Sequence, residues 1–155
     1  TLPSPPPFHQ FEVLPRVRAY VGYSRDRNNR EDNDTGRWLV GGYASNLFDS
    51  GLDLTLSDSR IERPTGSYHS SYLSLGRQVG RRLYVTGDYT TSLALVRFVR
   101  GDGVVIELKP HTRRFGGSGV VTLTRALTLL VSIEETIDGD VTELRMLSGL
   151  TVRFR

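Results

Sequence analysis

Leu52-Asp53-Leu54-Thr55-Leu56-Ser57 alternates aliphatic and polar residues at every second position. That is the repeat of a β-strand whose two faces meet different surroundings, and a helix cannot produce it. The run starts directly after Phe48-Asp49-Ser50-Gly51, residues that suit a tight turn. The same alternation recurs on both sides of this strand.

Upstream, Val17, Ala19, Val21 and Tyr23 oppose Arg18, Tyr20, Gly22 and Ser24. The polar residues 25–36 then read as a solvated loop, and 37–46 as a strand apolar on both faces. Downstream, 58–67 reads as a long polar connection and 70–76 as the next strand. After a turn over 77–81, Leu83, Val85, Tyr89, Leu93 and Leu95 alternate with Tyr84, Thr86, Asp88, Thr90 and Ser92. Arg100-Gly101-Asp102-Gly103 has the chemistry of a hairpin tip. Between 104 and 124 the apolar parity slips, which a bulge or break at Pro110 explains. Leu127, Leu129, Val131 and Ile133 form a seventh strand, and Leu144 to Phe154 an eighth. No segment has helical periodicity. Leu73-Ser74-Leu75-Gly76-Arg77 parallels Val121-Thr122-Leu123-Thr124-Arg125, as a repeated hairpin would.

These strands predict an all-β, antiparallel up-and-down barrel of about eight strands over residues 15–155. The Pro-rich residues 1–14 are expected to be an N-terminal tail or linker. A chain that opens on Thr1 with no basic-plus-apolar leader is expected to have shed a secretory signal or to be a piece of a longer polypeptide.

The chain has 155 residues, no cysteine and a net charge of +3. Without cysteine there is no disulfide framework, thiolate metal site or thiol nucleophile. The arginines are scattered among acidic residues, with no basic run that would track a phosphate backbone, so nucleic acid is not an expected partner. No cofactor or metal is expected. Asp32-Asn33-Asp34-Thr35-Gly36 is rich in oxygens but lacks the later bidentate glutamate of a calcium loop, and a solvated loop accounts for it. His69 and Ser71 face the same way on a strand. A hydrolase would also need an acidic group to orient the histidine, and none stands at a matching position.

Alternation alone leaves open which face is wet. Three features favour lipid: strand lengths near nine to eleven residues, long connections alternating with short turns, and aromatics toward strand ends (Tyr23, Trp38, Phe48, Tyr89 and Phe154). Leu144-Arg145-Met146-Leu147-Ser148-Gly149-Leu150-Thr151-Val152-Arg153-Phe154 resembles the closing strand of bacterial outer-membrane β-barrels, which ends on an aromatic. Here Arg155 follows Phe154, a departure from that pattern. From Arg16 to Phe154 the strands are similar to those of small OmpA-type barrels, or to the C-terminal strands of a porin-like barrel.

The resemblance implies a transmembrane barrel in the bacterial outer membrane with Phe154 as closing-strand terminus. Leu52, Leu54, Leu56, Leu83, Val85, Leu127, Leu129, Val131, Leu150 and Val152 would face lipid. Arg18, Asp53, Asp88, Glu134, Arg145 and Arg153 would be charges of the interior. The implied role is non-enzymatic: envelope anchor, scaffold or small pore, with recognition in the outer loops and an envelope protein as a further partner. The His-x-Ser pair resembles that of barrel-type lipid A deacylases, whose flanking sequence this chain does not share. The alternatives are part of a larger porin-like channel and a soluble lipocalin-like barrel around an apolar ligand.

Overall fold

A computed structural model describes residues 8–28 and 33–153. They form ten antiparallel strands in one sheet: β1 (Phe8–Leu14), β2 (Val17–Asn28), β3 (Asn33–Leu47), β4 (Leu52–Arg63), β5 (Gly66–Val79), β6 (Leu83–Val99), β7 (Val105–Leu108), β8 (His111–Thr122), β9 (Leu127–Asp138) and β10 (Val141–Val152). The strands pair in the order β1-β2-β3-β4-β5-β6-β8-β9-β10, with β7 against the far end of β6. Among the described residues there is no helix, and no ladder joins β1 to β10. The sheet is therefore an open meander in place of the closed ring expected from the sequence.

Several expected boundaries move. Residues 8–14, counted with the tail, form β1 and pair with β2 from Phe8↔Gly22 to Leu14↔Val17. The stretches read as loops at 25–36 and 58–67 are mostly strand: Arg25 pairs with Gly36 and Asp26 with Thr35, while Asp58↔Ser71 runs on to Arg63↔Gly66. Their polarity marked solvent and not irregular backbone. Ion pairs hold these hairpin ends, Arg25 with Asp34, Arg37 with Asp26 at 3.6 Å and Arg60 with Glu62 at 2.7 Å. Gly66 makes the tight return after 64–65 possible, because its φ is +153° and a Cβ there would lie 1.9 Å from the Leu95 carbonyl oxygen. The break expected at Pro110 is present, between β7 and β8. Thr1 to Pro7, Asp32 and Phe154 lie outside the described residues.

All connections at one end of the sheet are short: 15–16, 48–51, 80–82 and 123–126. The opposite rim carries the strand extensions and the projecting β6–β7 hairpin. Ala44, 7% exposed, is the sole buried hydrophobic side chain among the described residues. The described residues thus form a single layer with two faces and no core between layers.

Candidate functional site

Cross-strand partners share a face, so the register sorts every side chain. Leu52, Leu54 and Leu56 of β4, Leu83 and Val85 of β6, Leu127, Leu129 and Val131 of β9, and Leu150 and Val152 of β10 all fall on one face. Val17, Ala19, Val21 and Tyr23 extend the same face into β2. Toward the far rim this apolar band gives way to Asp58, Arg60 and Glu62 in β4, Arg113 in β8 and Glu135 in β9. A shallow groove of about 460 Å³ crosses the band where Gly42 leaves space beside Val40, Leu56, Leu73 and Tyr89.

The other face is polar. Arg18, Tyr43, Thr55, Ser74, Asp88, Gly116, Glu134 and Arg145 succeed one another along a single transverse row. Asp53 lies one row nearer the short turns, opposite Gly76. Arg153 follows β10 and is exposed; its backbone N–H donates to the Ala126 carbonyl at 2.9 Å, so it stands outside this row.

The polar side chains interlock. Tyr84 donates its hydroxyl to Asp53 Oδ2 at 2.9 Å, and the Asn46 N–H donates to Asp53 Oδ1 at 3.0 Å. Arg114 Nη2 donates to Thr90 at 3.3 Å, and its Nε lies 3.7 Å from Glu134 Oε2. Arg145 donates twice to Glu143, both bonds at 2.9 Å, the fork geometry that favours arginine. Thr86 and Ser118 hydrogen-bond hydroxyl to hydroxyl. The sequence reading missed Arg114 and Glu143, although their position in the strand alternation would have placed them with the other charges.

The glycines show how differently the faces are filled. On the polar face a Cβ at Gly41 would come within 2.4 Å of the Tyr20 ring, at Gly76 within 2.1 Å of the Tyr84 hydroxyl, and at Gly116 within 2.5 Å of the Asp88 carboxylate. On the apolar face the nearest atom to such a Cβ is 3.4 Å away at Gly42, 4.0 Å at Gly87, 3.7 Å at Gly117 and 3.8 Å at Gly119. At these positions side chains fold across their neighbours on one face and stand apart on the other; Gly149, on the polar side of the edge strand β10, is open as well.

His69 and Ser71 acquire the acidic partner that the sequence reading did not find. Ser71 donates to Asp58 Oδ2 at 2.6 Å, and His69 Nε2 lies 2.8 Å from the same oxygen. Reading 64–65 as the turn, and not as the middle of a loop, would have aligned Asp58 with Ser71. The carboxylate stands in the middle, whereas a serine nucleophile needs the imidazole between itself and the acid. The trio is a surface hydrogen-bond cluster beyond the apolar band.

No family model matches this chain, and no curated protein or solved structure does either.

Proposed function

We propose that the chain is a membrane-spanning wall of a bacterial outer-membrane β-barrel, with its apolar face against lipid and its polar face turned inward. In this reading it works without catalysis, as an envelope anchor, a scaffold or a small pore. The lipid of the outer membrane is its first partner, and the polar strand extensions at the far rim are where an envelope protein would bind.

The unequal crowding of the two faces carries the reading. Side chains converge on the concave side of a sheet and diverge on the convex side. The interlocked tyrosines, arginines and carboxylates therefore belong inside, and the separated aliphatics outside. A lipocalin-like barrel requires the opposite arrangement, with Leu52, Leu54 and Leu56 crowded within. Energetics agree. A large aliphatic left in water forfeits about 1.5–3 kcal/mol, and a band of them would forfeit more than the roughly 5–15 kcal/mol by which a domain is stable. Acyl chains offer the apolar surroundings that the sheet itself does not.

Trp38 provides the test, being the only tryptophan in the chain. It lies just beyond the apolar band, in the row of Arg60 toward the far rim, 52% exposed, with its ring 4.3 Å from that of Tyr23. Aromatic residues at that level suit the membrane interface. In vesicles, lipids brominated just below the headgroup are expected to quench its fluorescence more than lipids brominated near the chain ends. Emission identical in brominated and ordinary vesicles would remove the membrane reading.

A further inference from the structure

On the apolar face, β8 changes character along its length. From the far rim toward the short turns, its residues there are His111, Arg113, Phe115, Gly117, Gly119 and Val121. Lys109 precedes them, and a cavity of about 390 Å³ lies against Lys109, His111, Arg113 and Ile137. Along one strand, cations give way to an aromatic ring and the ring to bare backbone.

The cations have capacity to spare. Lys109 Nζ lies 3.7 Å from Glu107 Oε2, and His111 Nε2 lies 3.0 Å from the Thr91 hydroxyl. Arg113 is exposed and, among the described residues, has no ion-pair partner. Asp138 borders the same cavity, but its pairing with Thr112 puts it on the polar face. Glu135 stands on the apolar face one row nearer the short turns, opposite Phe115. An anion is therefore favoured above that row, beside Arg113.

Below Phe115 the surface is a furrow. Gly117 pairs with Gly87 of β6, and Gly119 follows on the same face. Leu83 and Val85 wall it on one side, Val131 and Ile133 on the other. A Cβ at Gly117 would meet Ile133 at 3.7 Å, and one at Gly119 would meet Leu83 at 3.8 Å. The backbone thus has room for side chains that it does not carry. Glycine inside a strand marks a bulge, a bend or the close approach of a ligand. Neither ladder of β8 shifts register, so there is no bulge. Bending toward the polar face calls for small residues on that face, not on this one. Phe115 and Val121 are six residues apart, about 20 Å at the rise of a strand. Tilted by about 45°, that length spans about 14 Å of depth, close to one leaflet of a roughly 30 Å hydrocarbon core.

We propose that this side of β8 binds one anionic lipid with a phosphate headgroup. Lys109, His111 and Arg113 hold the phosphate, and an acyl chain lies in the furrow of Gly87, Gly117 and Gly119. The proposal rests on the reading of the apolar face as lipid-facing and adds which lipid is selected and where.

The test is native mass spectrometry of the whole chain in neutral micelles, titrated with phosphatidic acid or with phosphatidylcholine of the same acyl chains. One phosphatidic acid per chain is expected to be retained at concentrations where phosphatidylcholine is lost. Lys109→Gln with Arg113→Gln should weaken retention on the order of tenfold or more, as removal of charge-assisted hydrogen bonds does. Gly117→Val with Gly119→Val fills the furrow, and should weaken the long-chain lipid while sparing dihexanoyl phosphatidic acid. Equal retention of the two long-chain lipids would overturn the proposal, and so would unaltered binding in both double variants. Inorganic phosphate that displaces the lipid at comparable concentrations would also overturn it, by marking a site for the free anion. The comparison of the two lipids needs no substitution, so a variant that folds poorly still leaves a decision. Flotation with phosphatidylcholine vesicles tests insertion separately. A chain that floats without preferring phosphatidic acid loses this site alone, whereas a chain that does not float loses the reading beneath it.

Discussion

Val131→Arg is expected to destabilise the chain refolded in vesicles by about 2–4 kcal/mol, the cost of a cation near the middle of a strand whose face meets lipid as proposed. Val131 stands in the apolar band between Gly119 and Ser148, with 45% of its surface open. The next residue, Ser132, points to the polar face between Ser118 and Leu147. Ser132→Arg is expected to cost about 1 kcal/mol or less, because on the proposed reading its charge meets an aqueous, polar lining. Equilibrium urea titrations of both variants in the same vesicles give the comparison. Equal costs would mean that the two faces do not differ in their surroundings, and the assignment of lipid to the apolar side would be lost.

Gly76→Ala is the second large effect. Its new Cβ would lie 2.1 Å from the Tyr84 hydroxyl, so the ring must leave and its bond to Asp53 must break. Losing a hydrogen bond to a charged acceptor costs about 1.5–3 kcal/mol. Tyr84→Phe removes the same bond by another route, so the double variant is expected to cost little more than the worse single one. Gly87→Ala is the control on the opposite face, where a Cβ meets nothing nearer than 4.0 Å. It is expected to be neutral or slightly stabilising. A Gly76→Ala chain that unfolds at the same urea concentration as its parent would show that the tyrosine does not seal the sheet at this point.

Where a strand has unlike surroundings on its two sides, its sequence declares it, and Leu52 to Ser57 was legible for that reason. The sorting of Arg18, Asp53, Asp88, Glu134 and Arg145 onto one face follows from the same alternation. Strand ends were less legible. Residues 25–28 and 58–63 extend beyond the apolar band, so both of their faces are polar, and the signature that marks a strand vanishes while its ladder continues. β1 was hidden by the Pro-rich run before it and by Pro15 after it. The Asp58, His69 and Ser71 cluster depends on a two-residue turn at 64–65, and assigning a longer loop there misaligns every partner. Closure was the least legible feature, because one short extra strand changes the count from even to odd.

The meander has a kinetic consequence. Each ladder joins consecutive strands, β8 alone reaching past the short β7 to β6, so hairpins can zip one after another with little loop entropy lost at each step. Among the described residues β1 and β10 each keep one side without a ladder. Assembly should therefore be quick throughout, and the finished sheet is most vulnerable to proteolysis and mispairing along those two borders.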